Sequence, residues 1–323
     1  MARTTLLDIA KANGTDAVVG LIEENLKLTP ELDIFPFRTI RGNTYSTWSR
    51  TGYTGGAFRM ANEGQVGGKS TYKRSLVETF IFGGPMVVDR AVADAYEDGA
   101  DAWLAHEASG FWLGSAQKLA SQIWYGRAID TKGFPGLREL LPLGTLSPNG
   151  EPSVINATGT TANTASSVYA IKFGDQAVTL VGGNNKAWEV GEWRDQIVSA
   201  PVEGGGTGDM DAYVAASSAW IGLQTVDRNS VRRIANITAD VGKGLTDALL
   251  AQLLASFPAN MLPDAIFMTR RSRSQLQASR TVVLQGQGTN RPDQPNIAPL
   301  PTQYDGVPII VTDALLNTEA IEV

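Results

Sequence analysis

Lys69 and Ser70 close the run Val66-Gly67-Gly68-Lys69-Ser70, which ends like a loop that cradles phosphates with backbone N–H groups and a lysine. Such a loop needs a glycine five residues before Gly68. Glu63 stands there, and no buried strand leads in, so nucleotide binding is not expected. Gly204-Gly205-Gly206-Thr207-Gly208 meets Asp209 where a dinucleotide-binding turn needs its last glycine, and Gly286-Gln287-Gly288 fails likewise at Arg291. Both read as turns. His106 is the one histidine in the chain. A Ser-His-Asp relay would have to run through it, yet it sits in a helical pattern with no nucleophile motif beside it. It reads as a packed or interface residue. Asp94, Glu97, Asp98 and Asp101 fall on one face of that helical pattern, with no histidine or cysteine to complete a metal site. A solvated or partner-facing acidic surface is the better reading. The chain has no cysteine, which removes disulfides, thiolate ligands and cysteine nucleophiles. A hydrolase built on a Ser/Lys pair is a competing reading that no motif supports. No catalytic residue, cofactor or metal is therefore expected.

The elements that position these residues follow from pattern. Residues 4–28 read as a helix broken near Gly14, stopped by Pro30, with an extended piece at Ile34–Phe37. Seven glycines lie between Gly42 and Gly68, flanked by strand-like Thr44–Ser49 and Ser70–Phe82. This is a long two-stranded excursion with too few apolar residues to bury a core. Residues 86–125 give the strongest helical signal, with Val88, Val92, Ala95, Gly99, Ala102 and His106 at helical spacing and Gly110 and Gly114 expected to kink it. Residues 130–165 are loop-rich. Residues 166–237 read mainly as β, with strands at Val168–Phe173, Ala177–Val181 and Val226–Ile237 and a hairpin turn at Gly204–Gly206. Met210–Ile221 fits strand or helix equally. An amphipathic helix at 241–257 carries Leu245, Leu249, Leu250, Leu253 and Leu254. Ala265–Met268 and Val307–Val311 are short buried strands, Ser272–Ser279 a helix and 285–301 a Gln/Pro/Gly loop.

A chain of 323 residues, 43% hydrophobic, suits one large domain or two moderate ones. Met1–Ile9 lacks the apolar core of a signal peptide, and no apolar run approaches the roughly 20 residues that span a bilayer. The net charge of −6 argues against a dedicated sequence-specific nucleic-acid binder, but not against a container that must not trap nucleic acid. Arg270, Arg271, Arg273, Arg280 and Arg291 form a basic stretch without an aromatic residue, so it reads as structural or as a subunit contact rather than a base-stacking surface. Charge is segregated earlier in the chain. Arg41–Arg74 holds Arg41, Arg50, Arg59, Lys69, Lys73 and Arg74 against Glu63 alone, a net +5. Met86–Glu107 holds six acids against Arg90, a net −5. A basic arm beside an acidic helix favours docking, within the subunit or onto a neighbour. Two separate solvated surfaces would give the same composition.

Five segments in order carry a resemblance. They are Leu6–Phe37 ending ELDIFPF and followed by RGNTYSTWSR; FRMANEG at Phe58–Gly64; IFGGPMVVDRAVADAY at Ile81–Tyr96; VYAIKFGDQAVTLV at Val168–Val181 with WIGLQTVDRNSVRRIANI at Trp220–Ile237; and IFMTRRSRSQLQASR at Ile266–Arg280 with YDGVPIIVTDALLNTEA at Tyr304–Ala320. Each is loose, and their order is specific. The chain resembles the major capsid proteins of tailed bacteriophages with the HK97-type fold. That resemblance implies an α+β fold with an N-arm (1–40), an extended β-hairpin E-loop (41–80), a P-domain spine helix (81–130), a connection to the A-domain (131–165), a β-rich part of the P-domain (166–237) and an A-domain (238–323). It implies a non-enzymatic shell subunit that forms hexamers and pentamers of an icosahedral capsid around phage DNA, assembled in the host cytoplasm and found in the virion, without a membrane. Arg41, Arg50, Arg59, Lys69, Lys73 and Arg74 would then meet Asp94, Glu97, Asp98 and Asp101 across subunits. A bacterial encapsulin-type compartment shell shares the fold and is the alternative. The long E-loop and N-arm lean towards phage. Some relatives crosslink lysine to asparagine; Lys69, Lys73 and Asn290 could supply those groups, but the required buried glutamate is not identifiable. Others carry a scaffold-like N-terminal segment. None is visible, which implies a separate scaffolding protein or removal of the segment, alongside a portal and a decoration protein.

Overall fold

The computed structural model describes residues 27, 29–148, 150–186, 188–202, 205–286 and 298–322. The expected helix at 4–28, apart from Lys27, lies outside them, as do Asn290 and Arg291. In chain order the described elements are α1 (Glu31–Ile34), β1 (Phe37–Thr39), β2 (Thr44–Gly52), β3 (Thr71–Glu78), β4 (Phe80–Asp89), α2 (Arg90–Ala93), α3 (Ala100–Tyr125), α4 (Leu137–Leu140) and β5 (Val154–Asn156). There follow β6 (Ser166–Ile171), β7 (Val178–Gly182), β8 (Glu189–Val190), β9 (Arg194–Pro201), β10 (Thr207–Thr225), β11 (Val231–Ile237), α5 (Asp247–Ala255), β12 (Ala265–Met268), α6 (Arg270–Gly286), β13 (Gln303–Tyr304) and β14 (Val307–Val311).

The strands make two six-stranded sheets and one isolated hairpin. The first sheet runs β1-β7-β10-β4, with β8 and β9 also on β10. The second runs β13-β14-β12-β6-β11-β5. β2 and β3 pair only with each other. Alternation explains the second sheet's place in the middle of the core. Tyr169 and Ile171 of β6, with Phe267 of β12, face one cluster; Val168, Ala170 and Ile266 face the other. Leu250 and Leu253 of α5 and Leu276 of α6 cover the second cluster. Leu119, Ile123 and the fully buried Trp124 of α3 fill the first, between the two sheets.

Three expectations change. The helical pattern at 86–125 resolves into a strand through Asp89, one turn of α2, irregular turns at 94–99 and the 26-residue α3. Met86–Val88 obey the partner strand, because β4 pairs with β10 from Ala212↔Asp89 to Ile221↔Phe80. Tertiary pairing overrides a local period here. Gly99, at φ +92, precedes Ala100 in a conformation that other residues rarely adopt. Gly110 and Gly114 sit exposed inside α3 without breaking it. Met210–Ile221 is strand, part of the 19-residue β10. The stretch 166–237, expected as one β-rich piece, serves both sheets. β6 and β11 join β12 and β14, while β7, β9 and β10 join β4.

α3 ends where two backbones touch. Gly126 has φ +56, and a Cβ there would lie 1.9 Å from the Gly136 nitrogen, so neither glycine has room for a side chain.

Candidate interaction surface

The β2–β3 hairpin is anchored only at its root. Tyr45 and Arg38 both donate to the Gln224 side-chain oxygen, the latter at 2.8 Å. Thr79 donates from its backbone and its hydroxyl to the Asn43 carbonyl at 2.8 and 2.9 Å. Further out little covers the arm, and Trp48 is 69% exposed. The tip between the strands has no regular structure except one turn, where Met60 N–H donates to the Glu63 carboxylate and Arg59 to the Glu63 carbonyl, each at 3.0 Å. The one acid of the tip is thus taken up in its own loop.

Cross-strand register gives the arm two unlike faces. Ser46↔Leu76, Trp48↔Arg74 and Arg50↔Tyr72 face each other. Trp48, Arg50, Tyr72, Arg74 and Leu76 therefore share a side, and Arg50 lies 5.4 Å over the Tyr72 ring and 5.6 Å over Tyr53. Thr47, Ser49, Lys73 and Ser75 occupy the other side. Of the six expected bases, Arg50 and Arg74 are on the aromatic side and Lys73 opposite. Arg59 and Lys69 are in the tip, and Arg41 is at the root.

The acidic residues are dispersed more than their spacing suggested. Of Asp94, Glu97, Asp98 and Asp101, only Asp101 lies on α3, in its first turn, where the helix dipole favours it. Asp94, Glu97 and Asp98 occupy the turns before it. Arg90 bridges Asp94 at 3.6 Å and Asp195 at 3.7 Å, and the Tyr213 hydroxyl donates to Asp94 at 3.4 Å. Among the described residues the six arm bases form no ion pair with Asp94, Asp98 or Asp101. His106 lies against the rings of Tyr96 and Trp103. No group of three or more His, Asp or Glu residues among the described residues is placed to hold a metal.

Sequence reading missed a second charged region, buried against the first core cluster. Arg233 is 1% exposed and grips Glu322 with two nitrogens at 2.7 and 3.0 Å. It also donates to Ser167 and to the Leu141 carbonyl. Glu319, 2% exposed, accepts from Tyr125 and from Ser167, each at 2.7 Å, and Arg138 reaches Glu322 at 2.9 Å. Burial pushes the Glu322 carboxyl up, but the hydrogen bonds and charges of Arg233 and Arg138 outweigh it and hold it below the usual carboxylate range. Burial pushes the Tyr125 and Tyr169 hydroxyls up. Glu31 is also buried, accepting from Trp124 Nε1 at 2.7 Å. Burial pushes its carboxyl up. Two of the late arginines are internal ties as well: Arg280 to Asp247 at 2.7 Å, and Arg271 to the Thr164 carbonyl at 2.7 Å.

The molecule thus combines a bare basic arm, a long helix and two six-stranded sheets. The family model for major capsid protein GP7 matches residues 18–323. A bacteriophage Epsilon15 structure aligns with TM-score 0.74 at 20% identity, covering 100% of this chain and 98% of that one. The bacteriophage JBD30 capsid aligns with TM-score 0.51 at 13% identity, covering 93% of each chain. No curated protein matches the sequence. The fold is the HK97-type capsid fold, and the chain belongs to the major capsid protein GP7 family.

Proposed function

We propose that many copies of this chain close into an icosahedral shell of hexamers and pentamers around phage double-stranded DNA, with the β2–β3 arm of each copy reaching onto its neighbour. The family match over residues 18–323 supports the shell role. The arm supports the contact: it has no core of its own, is bare beyond its root and is basic. Arg41, Arg50, Arg59, Lys69, Lys73 and Arg74 supply the positive side; Asp94, Glu97, Asp98 and Asp101 belong to the receiving side. Residues 1–40 are the N-arm, whose end (α1 and β1) packs into this subunit's own core and first sheet. Residues 41–80 are the E-loop, α3 with the first sheet forms the P-domain, and the second sheet with α5 and α6 forms the A-domain. The role is structural rather than catalytic. A separate scaffolding protein, a portal and a decoration protein complete the particle in the host cytoplasm, and one JBD30 capsid structure is decorated with minor capsid protein trimers. The chain's net charge of −6 suits a wall that does not hold its DNA by phosphate contacts. No helix among the described residues is long and apolar enough to cross a membrane.

Electron microscopy of the purified protein, with its scaffold partner where one is needed, tests the shell. Closed particles are expected, and a strictly monomeric protein at high concentration sinks the proposal. Reversing Lys69, Lys73 and Arg74 to glutamate should abolish particles while leaving the subunit's melting temperature within a degree or two. Normal shells from that variant would remove the arm contact.

A further inference from the structure

The second two-stranded ribbon has a sided chemistry of its own. β9 pairs with the first part of β10 from Val214↔Arg194 to Thr207↔Pro201. The ribbon runs past β4, whose pairing with β10 stops at Ala212. Cross-strand partners share a face, so Asp195 with Tyr213, Ile197 with Asp211 and Ser199 with Asp209 lie on one side. Tyr213 packs on that side against Ala93 and Leu104, at the foot of α3, and its hydroxyl reaches Asp94. Arg90 bridges Asp94 and Asp195 at the foot of this side, and beyond it Asp211 and Asp209 form an acidic end, with Ile197 beside them at 66% exposure. The reverse side carries Arg194, Gln196, Val198, Ala200, Met210 and Ala212, with no acid.

The aromatic side of the β2–β3 arm is the counterpart. It sets Arg50 and Arg74 around Trp48, Tyr72 and Leu76, all exposed. Among the described residues no ion pair joins the two faces inside one subunit. We infer that the acidic face of the β9–β10 ribbon is the seat for the arm of a second copy, with Arg50 and Arg74 set against Asp209 and Asp211 beside an apolar centre at Ile197. Matched charges around an apolar middle give such a contact both register and burial. This inference rests on the shell-subunit reading and moves the centre of the receiving surface from the 94–101 turns to the ribbon.

The chain has no cysteine, so engineered pairs report cleanly. Leu76→Cys with Ile197→Cys should give chains of disulfide-linked subunits in assembled particles under mild oxidation. Leu76→Cys with Gln196→Cys, on the reverse side, should not. Asp209→Lys with Asp211→Lys should lose particles, and adding Arg50→Glu with Arg74→Glu should restore them. Shells that form normally from the double lysine variant, or that show no link through position 197, overturn the seat while leaving the arm contact intact. A wild-type chain that never makes particles overturns the shell reading itself.

Discussion

Arg233 and Arg74 carry the same guanidinium in opposite circumstances. Arg233 is buried with Glu322, Glu319, Ser167 and the Leu141 carbonyl around it. Arg74 lies exposed on a hairpin face beside Trp48, with no ion pair to Asp94, Asp98 or Asp101. The tryptophans repeat the contrast. Trp124 is fully buried and gives its N–H to Glu31, whereas Trp48 is mostly bare. One region is finished by the chain itself. The other is finished, on our reading, by a neighbour. Charge and aromatic content therefore say little alone; what distinguishes the two is whether the arginine already has its carboxylate.

The largest way to break this contrast is to open the finished region. Glu319→Ala leaves Arg233 short of a carboxylate and strands the donors of Tyr125 and Ser167. Removing one member of a buried ionic cluster costs about 3–5 kcal/mol, so urea unfolding should show a loss of that size or an unfolded subunit. Trp124→Ala should cost a similar ~3–5 kcal/mol by cavity formation, read by the same titration. Acid should act more gently through Glu322. Its carboxyl is held down when folded, so it adds stability above its ordinary value near 4.5 and loses that contribution as pH falls through the lowered value. Glu322→Gln should flatten this acid limb of a melting-temperature profile. Glu31 has the opposite sign. Its carboxyl is pushed up by burial, so its contribution is full below its ordinary value and declines as pH rises through the raised one. Glu31→Gln keeps an acceptor for Trp124, and should raise the melting temperature at neutral pH more than at pH 4. The smallest effect on the subunit belongs to the arm. Trp48→Ser should change unfolding free energy by no more than about 0.5 kcal/mol while reducing particle yield. A destabilised monomer would show that Trp48 is packed within its own chain.

Legibility in the sequence followed the range of the interactions. The hairpin arms at Thr44–Ser49 and Ser70–Phe82, the leucine-rich helix and the short strands at 265 and 307 are local patterns, and each appears near its expected place. The start of α3 was not legible, because Val88 and Val92 fit a helical period and only the pairing with β10 decides against it. The ribbon's acidic end was missed for a related reason. Asp209 and Asp211 alternate as a strand face, but Met210–Ile221 read equally as helix, so no face could be drawn. Nothing local marks Arg233 as buried, since its carboxylates lie 86 and 89 residues away. Cross-strand alternation around Trp48 and Arg74 was the signal available for the arm's sided chemistry, once the register was known.

The isolated hairpin has one more consequence. β2 and β3 each keep an outer edge with unpaired backbone groups, and an open, apolar-faced edge invites strand pairing with its own kind. Two such arms meeting edge to edge would bring two net-basic hairpins together. Their mutual repulsion opposes that encounter, so the charge that, on our reading, draws an arm to an acidic surface should also discourage arm-to-arm pairing of free subunits. Raising salt from about 0.1 M to about 1 M shortens the screening distance from about 10 Å to about 3 Å and weakens both forces together. Concentrated salt should therefore divert subunits from closed particles towards irregular aggregates.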